Sequence, residues 1–367
     1  MQAVCPSASP IAKTTVLKGK FSFRGLTPLK SIAAAITSAK PDLLVSGDDL
    51  ATCHLHCLYN RDGTSEVTRE LIVRSLGSPE YFPIVDDRAS FMRACQEIGV
   101  RVPRTAVIAD FQDFHASQIA FPAVLKANGT SGGDGVRVVR SEQETQTALR
   151  HLQAPPLLAR AIKRAIFDQD TTLLRPSLER HRSAVNAQSF IGGREATSAT
   201  ACWQGSVVAS THFEVLQKGH SAGHATVVRR IDHPEMASAV EKMARRLQLS
   251  GFHGFDFMLE DGSRDAYLIE INPRATQIGH LSFGAGRDLP DALVSALSAR
   301  PAAAAPKVSE NDVIALFPQE WLRDPASPYL RSGYHDVPWN RPELLRSAFE
   351  KSNRTGSNLF RRLLRKR

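Results

Sequence analysis

The chain has 367 residues, of which 42% are hydrophobic and 23% charged, so it can bury a sizeable core in two or three domains. Functions that need a transmembrane helix are not expected, since no apolar run approaches the roughly 20 residues that cross a bilayer. The opening residues lack a signal-peptide pattern and five cysteines form no disulfide framework, so a cytoplasmic location is expected.

The formal net charge of +9 is concentrated at the end of the chain, because residues 341–367 hold nine Lys and Arg against two Glu. The last residues, LFRRLLRKR, are basic and weakly amphipathic, which permits contact with an anionic membrane surface. Few aromatic residues lie among these arginines, so nucleic acid is not expected as a partner. A solvated helix end is favoured over membrane contact.

The first third of the chain predicts α/β structure. Residues 29–40 show helical spacing and are followed by a short apolar strand over 41–46 and a Gly-Asp-Asp turn. Residues 86–100 predict a second helix, with aspartate at its start and Gly99 at its end, and a strand follows. Helix, strand and polar turn form the repeating unit of a parallel sheet.

Strands and hairpins dominate from residue 120 onward. A glycine loop lies between two strands, and the next helix opens with a capping-box pair, Ser141 and Glu144. The basic segment 154–183 is interpreted as a helical insertion. The elements predicted after it are strands over 185–193, 195–205 and 206–217, a helix over 234–251, a hairpin over 254–274 and a helix over 288–299.

The glycine loop lies in FPAVLKANGTSGGDGVRVV, from Phe121 to Val139. A Walker A loop would place its lysine after the glycines at a helix start, and a Rossmann loop would also lead into a helix. Here Lys126 precedes the glycines, and Gly135 leads into a strand. The pattern therefore predicts a hairpin flap whose amides approach phosphates, with Lys126 as a point charge beside them.

A second polar group lies in GFDFMLEDGSRDAYLIEINPR. Period-two alternation places Glu270 and Asn272 on one face of a strand, and Asp256 can face them from the neighbouring strand of the hairpin. Two carboxylates and an amide oxygen form a hard oxygen set suited to Mg²⁺, which is normally shared with nucleotide phosphates. Arg274, just past the strand, could hold a transferred phosphoryl group.

These motifs, in this order, resemble the ATP-grasp superfamily from about Pro83 to Ala296. The carbamoyl-phosphate synthetase and biotin carboxylase type of carboxylate–amine ligase is the most similar. The resemblance implies an α/β fold, α+β in the ATP-binding part. It would have a shortened Rossmann-like domain over 1–85, an ATP-grasp domain over 86–300 with a lid over about 105–187, and a C-terminal extension over 301–367.

The resemblance also implies a role for each matching residue. Lys126 would contact the α- and β-phosphates, the flap would cover the β- and γ-phosphates, and the segment QSFIGG would read the adenine edge. Arg274 would act beside Lys126 at the γ-phosphate. The metal ligands would be Asp256, Glu270 and Asn272, holding Mg²⁺ or, as an alternative, Mn²⁺. The residues assigned to ATP are Arg88, Lys126, Ser131, Gly132, Gly133, Gly135, Gln188, Ser189, Phe190, Ile191 and Glu195.

Two departures from the family pattern bear on specificity. Arg88 stands where most members have a lysine, and the two side chains differ in phosphate geometry. The chain also begins at about the second strand of a typical member, so a truncated or reduced N-terminal domain is expected.

The predicted activity is that of an ATP-dependent ligase that joins a small-molecule carboxylate and an amine through an acylphosphate. One alternative is a kinase that leaves the phosphate on a hydroxyl, and another is a non-catalytic ATP-binding regulator. A homodimer is one assembly to expect.

Two further clusters carry weaker signals. Cys53 and Cys57, in CHLHC, are expected to share a buried helix face rather than to bind a metal, because no second Cys/His pair lies at zinc spacing. His212, His220 and His224 lie near the expected cleft, where ordinary surface histidines are favoured over substrate contacts.

Overall fold

A computed structural model describes residues 1–128, 135–155, 183–219, 223–301 and 306–350, together with 158, 162, 165 and 177–179. The predicted flap residues Ser131, Gly132 and Gly133 and most of the 154–183 insertion lie outside these described residues.

The N-terminal part is a two-stranded parallel sheet followed by helices. Strands β1 (Gln2–Cys5) and β2 (Gly19–Ser22) pair in parallel. The helices of this part are α1 (Pro28–Ala39), α2 (Asp49–Tyr59), α3 (Glu66–Leu76), α4 (Phe82–Asp86) and α5 (Arg88–Glu97), with 3-10 turns at Pro10–Lys13 and Pro79–Tyr81. A Rossmann-like character for this part stays a prediction.

The strand predicted over residues 41–46 is wrong, because among the described residues this segment forms no strand pairing. Its backbone is held by a side chain instead: the Leu44 amide donates to Ser75 Oγ at 2.9 Å. Asp48 then caps α2 by accepting from the Ala51 amide at 2.7 Å. The Gly-Asp-Asp turn is thus a helix start rather than a strand end.

A four-stranded antiparallel sheet forms the smaller layer of the nucleotide-binding part. Its order is β3 (Thr105–Ile108), β6 (Val185–Ser189), β4 (Ala123–Ala127) and β5 (Val136–Val139). Helices α6 (Phe111–Ala116) and α7 (Glu142–Leu152) cover one face, where Leu125, Val185 and Ala187 are fully buried. The other face is left for a ligand or for the larger sheet.

A seven-stranded sheet forms the larger layer. Its strands are β7 (Gly193–Trp203), β8 (Ser206–Lys218), β9 (Ala225–Ile231), β10 (Gly251–Glu260), β11 (Ala266–Asn272), β12 (Val313–Leu316) and β13 (Tyr334–Asp336), in the order β11-β10-β7-β8-β9-β12-β13. The strands β12 and β13 come from beyond residue 301, so the end of the described chain extends this sheet.

Two apolar cores cover the two faces of the larger sheet. Helix α5 and helix α8 (Pro234–Arg246) pack on one face around Phe255 and Phe257, while helix α9 (Leu289–Ser298) packs on the other around Phe213. Two short helices, α10 (Gln319–Arg323) and α11 (Tyr329–Ser332), complete the described elements. Within the described ranges, no helix is both long enough and apolar enough to span a membrane.

Candidate nucleotide and metal site

Lys126 joins the two sheets at the centre of the candidate site. It lies on β4 with only 5% of its surface exposed, and its ammonium donates to the carbonyl oxygen of Ile269 on β11 at 3.4 Å. Burial lowers the pKa of Lys126 to about 8, while Glu270 acts in the opposite direction and Arg88 adds to the lowering. A lysine held this way is a charge in a low-dielectric cleft, poised for an anionic ligand.

Strand β11 contains a bulge just before its two polar residues, Glu270 and Asn272. Phe257 pairs with Leu268, whereas Asp256 pairs with Glu270, so Ile269 is the extra residue. Leu268 and Glu270 therefore lie on opposite faces although they are two residues apart, which is the effect of a β-bulge. The predicted grouping of Asp256, Glu270 and Asn272 is present, and the bulge lets Leu268 stay in the core while Glu270 and Asn272 face the cleft.

Among the predicted metal ligands, Asp256 has a carboxyl group with a raised pKa. Burial, followed by the neighbouring Glu270 carboxylate, raises its pKa to about 6, against the lowering effect of hydrogen bonds from Thr197 and Asn272. The Asn272 amide donates to Asp256 Oδ2 at 2.9 Å. Two carboxylates that face each other in a partly buried site repel unless a cation lies between them, so the donor set fits a divalent metal ion.

We expect the metal affinity of the nucleotide-free protein to fall below pH 6, since a metal ligand must be deprotonated. The Asp256 pKa of about 6 implies a nearly flat affinity from pH 7 to 8 and a loss of about fivefold between pH 6 and pH 5. Electron paramagnetic resonance of bound Mn²⁺ would measure it, with Asp256→Asn as the comparison. A wild-type affinity that stays constant from pH 5 to 7.5 would contradict the assignment.

Arg88 is the partner of Glu270. Its Nη2 donates to Glu270 Oε1, and its Nη1 donates to the carbonyl oxygen of Ala127 at 3.2 Å, at the end of β4. Arg88 is 10% exposed, and its Nε has no partner among the described residues. Arg88 thus lies between the predicted metal ligand and the strand of Lys126, where a nucleotide phosphate would also lie.

Arg274 lies just past β11 and is held by three acceptors. Its Nη2 donates to Asn272 Oδ1 at 3.1 Å, its Nε to Asp49 Oδ1 at 2.9 Å, and its Nη1 to the Ala275 carbonyl at 3.4 Å. The predicted phosphoryl-binding arginine is therefore adjacent to the predicted metal ligands.

The predicted adenine segment lies at the end of β6, where the smaller sheet leads into the larger one. Gln188 lies on the same sheet face as Lys126, because Gln188 pairs with Val124 two residues before Lys126. Its Nε2 is buried without a partner among the described residues. On the same face Val107 and Val138 are 56% and 38% exposed. An apolar face beside an unsatisfied amide suits a purine ring.

The other described residues that were predicted to contact ATP have varied environments. Ser189 donates its amide to the Arg104 carbonyl at 2.9 Å, so that amide is not free to bind a base. Phe190 is 43% exposed and Ile191 is half-buried. Glu195, on β7, accepts from the ammonium of Lys218 at 2.5 Å. At the far side, the Gly135 carbonyl accepts from the Ala127 amide at 2.9 Å, which closes the base of the flap.

One polar chain in the cleft was not predicted from the sequence. The Asn186 amide donates to Asn128 Oδ1 at 2.9 Å, and the Asn128 amide donates to Asp87 Oδ1 at 3.1 Å. Asn186 is fully buried and its Oδ1 has no partner in the described part of the chain. A polar residue inside the otherwise apolar strand VNAQS was the available signal.

The weaker sequence predictions have mixed outcomes. Cys53 is partly buried and Cys57 is exposed, so a shared buried face is wrong; α2 buries Leu55 and Leu58 instead. Within the described residues no group of three His, Cys, Asp or Glu side chains could hold a metal. His212 is buried on β8 with its Nδ1 2.7 Å from Ser198 Oγ, whereas His220 lies outside the described residues.

Comparison with known proteins identifies the family of this chain. The model of the carbamoyl-phosphate synthase L chain, ATP binding domain, matches residues 87–282, more than half of the chain. The chain belongs to this family. The matched range contains every residue predicted here for nucleotide or metal binding, and the predicted ATP-grasp relationship is confirmed.

Relatives with curated functions match the same region. The carbamoyl phosphate synthase large chain of Deinococcus deserti is 29% identical over 209 residues, which are 54% of this chain and 18% of that protein. The biotin carboxylase of Haemophilus influenzae is 25% identical over 227 residues, 60% of this chain and 47% of that protein. The chain thus spans less than half the length of these two relatives.

Solved structures agree on the fold. N5-carboxyaminoimidazole synthase from Aspergillus clavatus, solved with ADP and 5-aminoimidazole ribonucleotide, has a TM-score of 0.57 at 16% identity and covers 83% of this chain and 71% of its own. The biotin carboxylase–β,γ-ATP complex from Campylobacter jejuni has a TM-score of 0.53 at 17% identity, covering 79% and 63%. The predicted ATP-grasp fold of mixed helices and sheets is confirmed.

Proposed function

We propose that this protein is an ATP- and Mg²⁺-dependent ligase that activates a substrate carboxylate as an acylphosphate. An amine or a similar nucleophile then displaces phosphate. The observation that carries the proposal is the convergence of Lys126, Arg88 and Arg274 on the two carboxylates of Asp256 and Glu270 at one edge of the cleft. This set of opposite charges suits phosphoryl transfer, which depends mainly on positioning and charge neutralisation.

Each side chain has a distinct part in this proposal. Lys126 reaches across from β4 and would bind the α- and β-phosphates as a point charge. Arg274 has N–H groups left over for the γ-phosphoryl group as it moves to the carboxylate. The face that carries Gln188 would bind the adenine ring. No covalent nucleophile is required of the protein, because the substrate carboxylate attacks the γ-phosphorus directly.

A divalent metal would be held by Asp256, Glu270 and Asn272. When bound, Mg²⁺ would neutralise part of the charge of the nucleotide phosphates. Glu270 would exchange part of its contact with Arg88 for the ion, and Asn272 Oδ1 now accepts from Arg274. This exchange would release Arg88 toward the phosphates, whereas Asn272 Oδ1 has a second lone pair for the ion and can keep its hydrogen bond from Arg274. Mn²⁺ is proposed as an alternative ion.

The test is release of ADP and free phosphate from Mg²⁺-ATP across a panel of small carboxylates, each with and without a panel of amines. We expect both products only when a carboxylate and an amine are present, and no release after the metal is removed with EDTA. ADP without free phosphate would indicate a kinase instead. ATP binding with no turnover across the panel would count against an enzyme.

The wider properties are proposals of the same kind. Small-molecule carboxylate and amine substrates are proposed as partners, and a homodimer is proposed as the assembly. One solved neighbour, the biotin carboxylase domain of a 2-oxoglutarate carboxylase from Hydrogenobacter thermophilus, is described as a dimer. The domain limits at about residues 85 and 300 and the cytoplasmic location stay predictions from the sequence.

A further inference from the structure

We propose that Asp49 is a positioning residue for Arg274, so that the N-terminal part of the chain sets the geometry at the γ-phosphate. This inference rests on the proposed function of Arg274. Asp49 is the first residue of α2 and lies 225 positions before Arg274 in the sequence, yet its Oδ1 accepts from Arg274 Nε at 2.9 Å. Chain proximity therefore does not account for the pair.

The start of α2 is joined to the segment after β11 by three contacts in a row. The Ala275 amide donates to the Ser46 carbonyl at 3.0 Å, Arg274 donates to Asp49, and the Thr52 hydroxyl donates to the Pro273 carbonyl at 2.6 Å. Thr52 is 1% exposed, so its contact with Pro273 is part of the packed interior. Asp49 is consequently held in place by its neighbours on both sides.

The donor count of Arg274 explains what this contact achieves. A guanidinium has five N–H groups. Within the described residues, Asp49, Asn272 and the Ala275 carbonyl take one each, which leaves one N–H on Nη1 and one on Nη2. Anchoring Nε fixes the plane of the guanidinium, and two N–H groups remain for two oxygens of a phosphoryl group.

A role in stability alone accounts poorly for the pair. The Asp49 side chain is 40% exposed and that of Arg274 is 19% exposed. Ion pairs in contact with solvent contribute little to the stability of a fold. Burial raises the pKa of the Asp49 carboxyl, Arg274 lowers it, and the negative charges of Glu270 and Asp48 raise it further. A third carboxylate beside the metal ligands is better explained by the orientation of Arg274 than by the folding energy.

The experiment compares the affinity of the protein for the Mg²⁺ complexes of ADP and of the imido analogue of ATP, by calorimetry. The ratio of the affinity for the imido analogue to the affinity for ADP reports contact with the γ-phosphate, and its measurement needs no turnover. We expect Asp49→Asn to lower this ratio by about 10-fold, because the guanidinium loses its orientation. Asp49→Glu keeps the carboxylate and is expected to restore most of the ratio.

Asp48→Asn is the matched control. It removes the same charge from the adjacent position, and asparagine caps a helix as well as aspartate does. Its ratio is expected to equal that of the wild type. An unchanged ratio in Asp49→Asn, or an equal fall in both variants, would overturn the proposal; so would a wild-type protein that binds the two nucleotides equally.

The ligase proposal can fail separately. If no pair of substrates in the panel is turned over, the affinity ratio still tests Asp49. If turnover is found, Asp49→Asn is expected to lower kcat/KM for ATP by about 10-fold or more, with a rise in the KM for ATP that matches its loss of affinity for the imido analogue.

Discussion

Replacing Glu270 with glutamine is expected to lower substrate-dependent ADP release by on the order of 100-fold or more, since a carboxylate that would hold the metal ion beside the phosphates is lost. Two smaller effects on folding oppose each other. Arg88 loses an ionised partner at a site where it is 10% exposed, whereas Asp256 loses the repulsion that raises its pKa. The net change in the free energy of unfolding is therefore expected to be about 1 kcal/mol or less.

Glu260→Gln is the control for this variant. Glu260 is at the end of β10 on the same hairpin, four positions after Asp256, and its Oε2 accepts from the Ser263 hydroxyl at 2.9 Å. It removes the same charge and is expected to leave ADP release unchanged. Measuring ADP release and thermal unfolding on both variants separates catalysis from folding. Wild-type rates in Glu270→Gln would remove Glu270 from the proposed site.

Replacing Lys126 with methionine is expected to weaken ATP binding strongly and to stabilise the nucleotide-free protein at pH 7. The buried lysine has a pKa of about 8 when folded, against an ordinary value of 10.5. Below pH 8 the folded protein therefore bears the cost of a buried charge, on the order of 3 kcal/mol at most for a shift of this size. Methionine has a similar length and no charge, so this cost disappears.

The stability difference between the wild type and Lys126→Met is expected to depend on pH. Between pH 8 and 10.5 the unfolded chain binds more protons at this position than the folded protein, so the wild type gains stability as the pH rises. The advantage of Lys126→Met, measured by urea unfolding, should therefore be largest below pH 8 and shrink toward pH 10. A methionine variant that is less stable than the wild type at pH 7 would show that the ion contacts of Lys126 outweigh its burial.

Local patterns in the sequence were sufficient for the family, and they selected most of the residues that are proposed for the site. Two motifs can be identified from neighbouring residues alone. One is a strand with a lysine followed by glycines, and the other is an Asp-Glu-Asn set on an apolar hairpin. Buried acids and a buried lysine are costly unless they are used, which is why their presence in apolar strands indicated chemistry. The same reasoning explains why Asp256, Glu270 and Lys126 were predicted together.

Tertiary structure decided what local patterns could not. The side-chain period of a strand cannot predict the bulge at Ile269, which keeps Leu268 in the core while Glu270, two residues later, faces the cleft. The partner of Arg274 is Asp49, 225 positions away, and helix packing rather than sequence spacing brings them together. The Gly-Asp-Asp turn was interpreted as the end of a strand. Asp48 instead caps helix α2, and the residues of the turn do not by themselves predict that helix. The sequence alone thus determined which charges the site contains, while the packing of distant segments determined how those charges are paired.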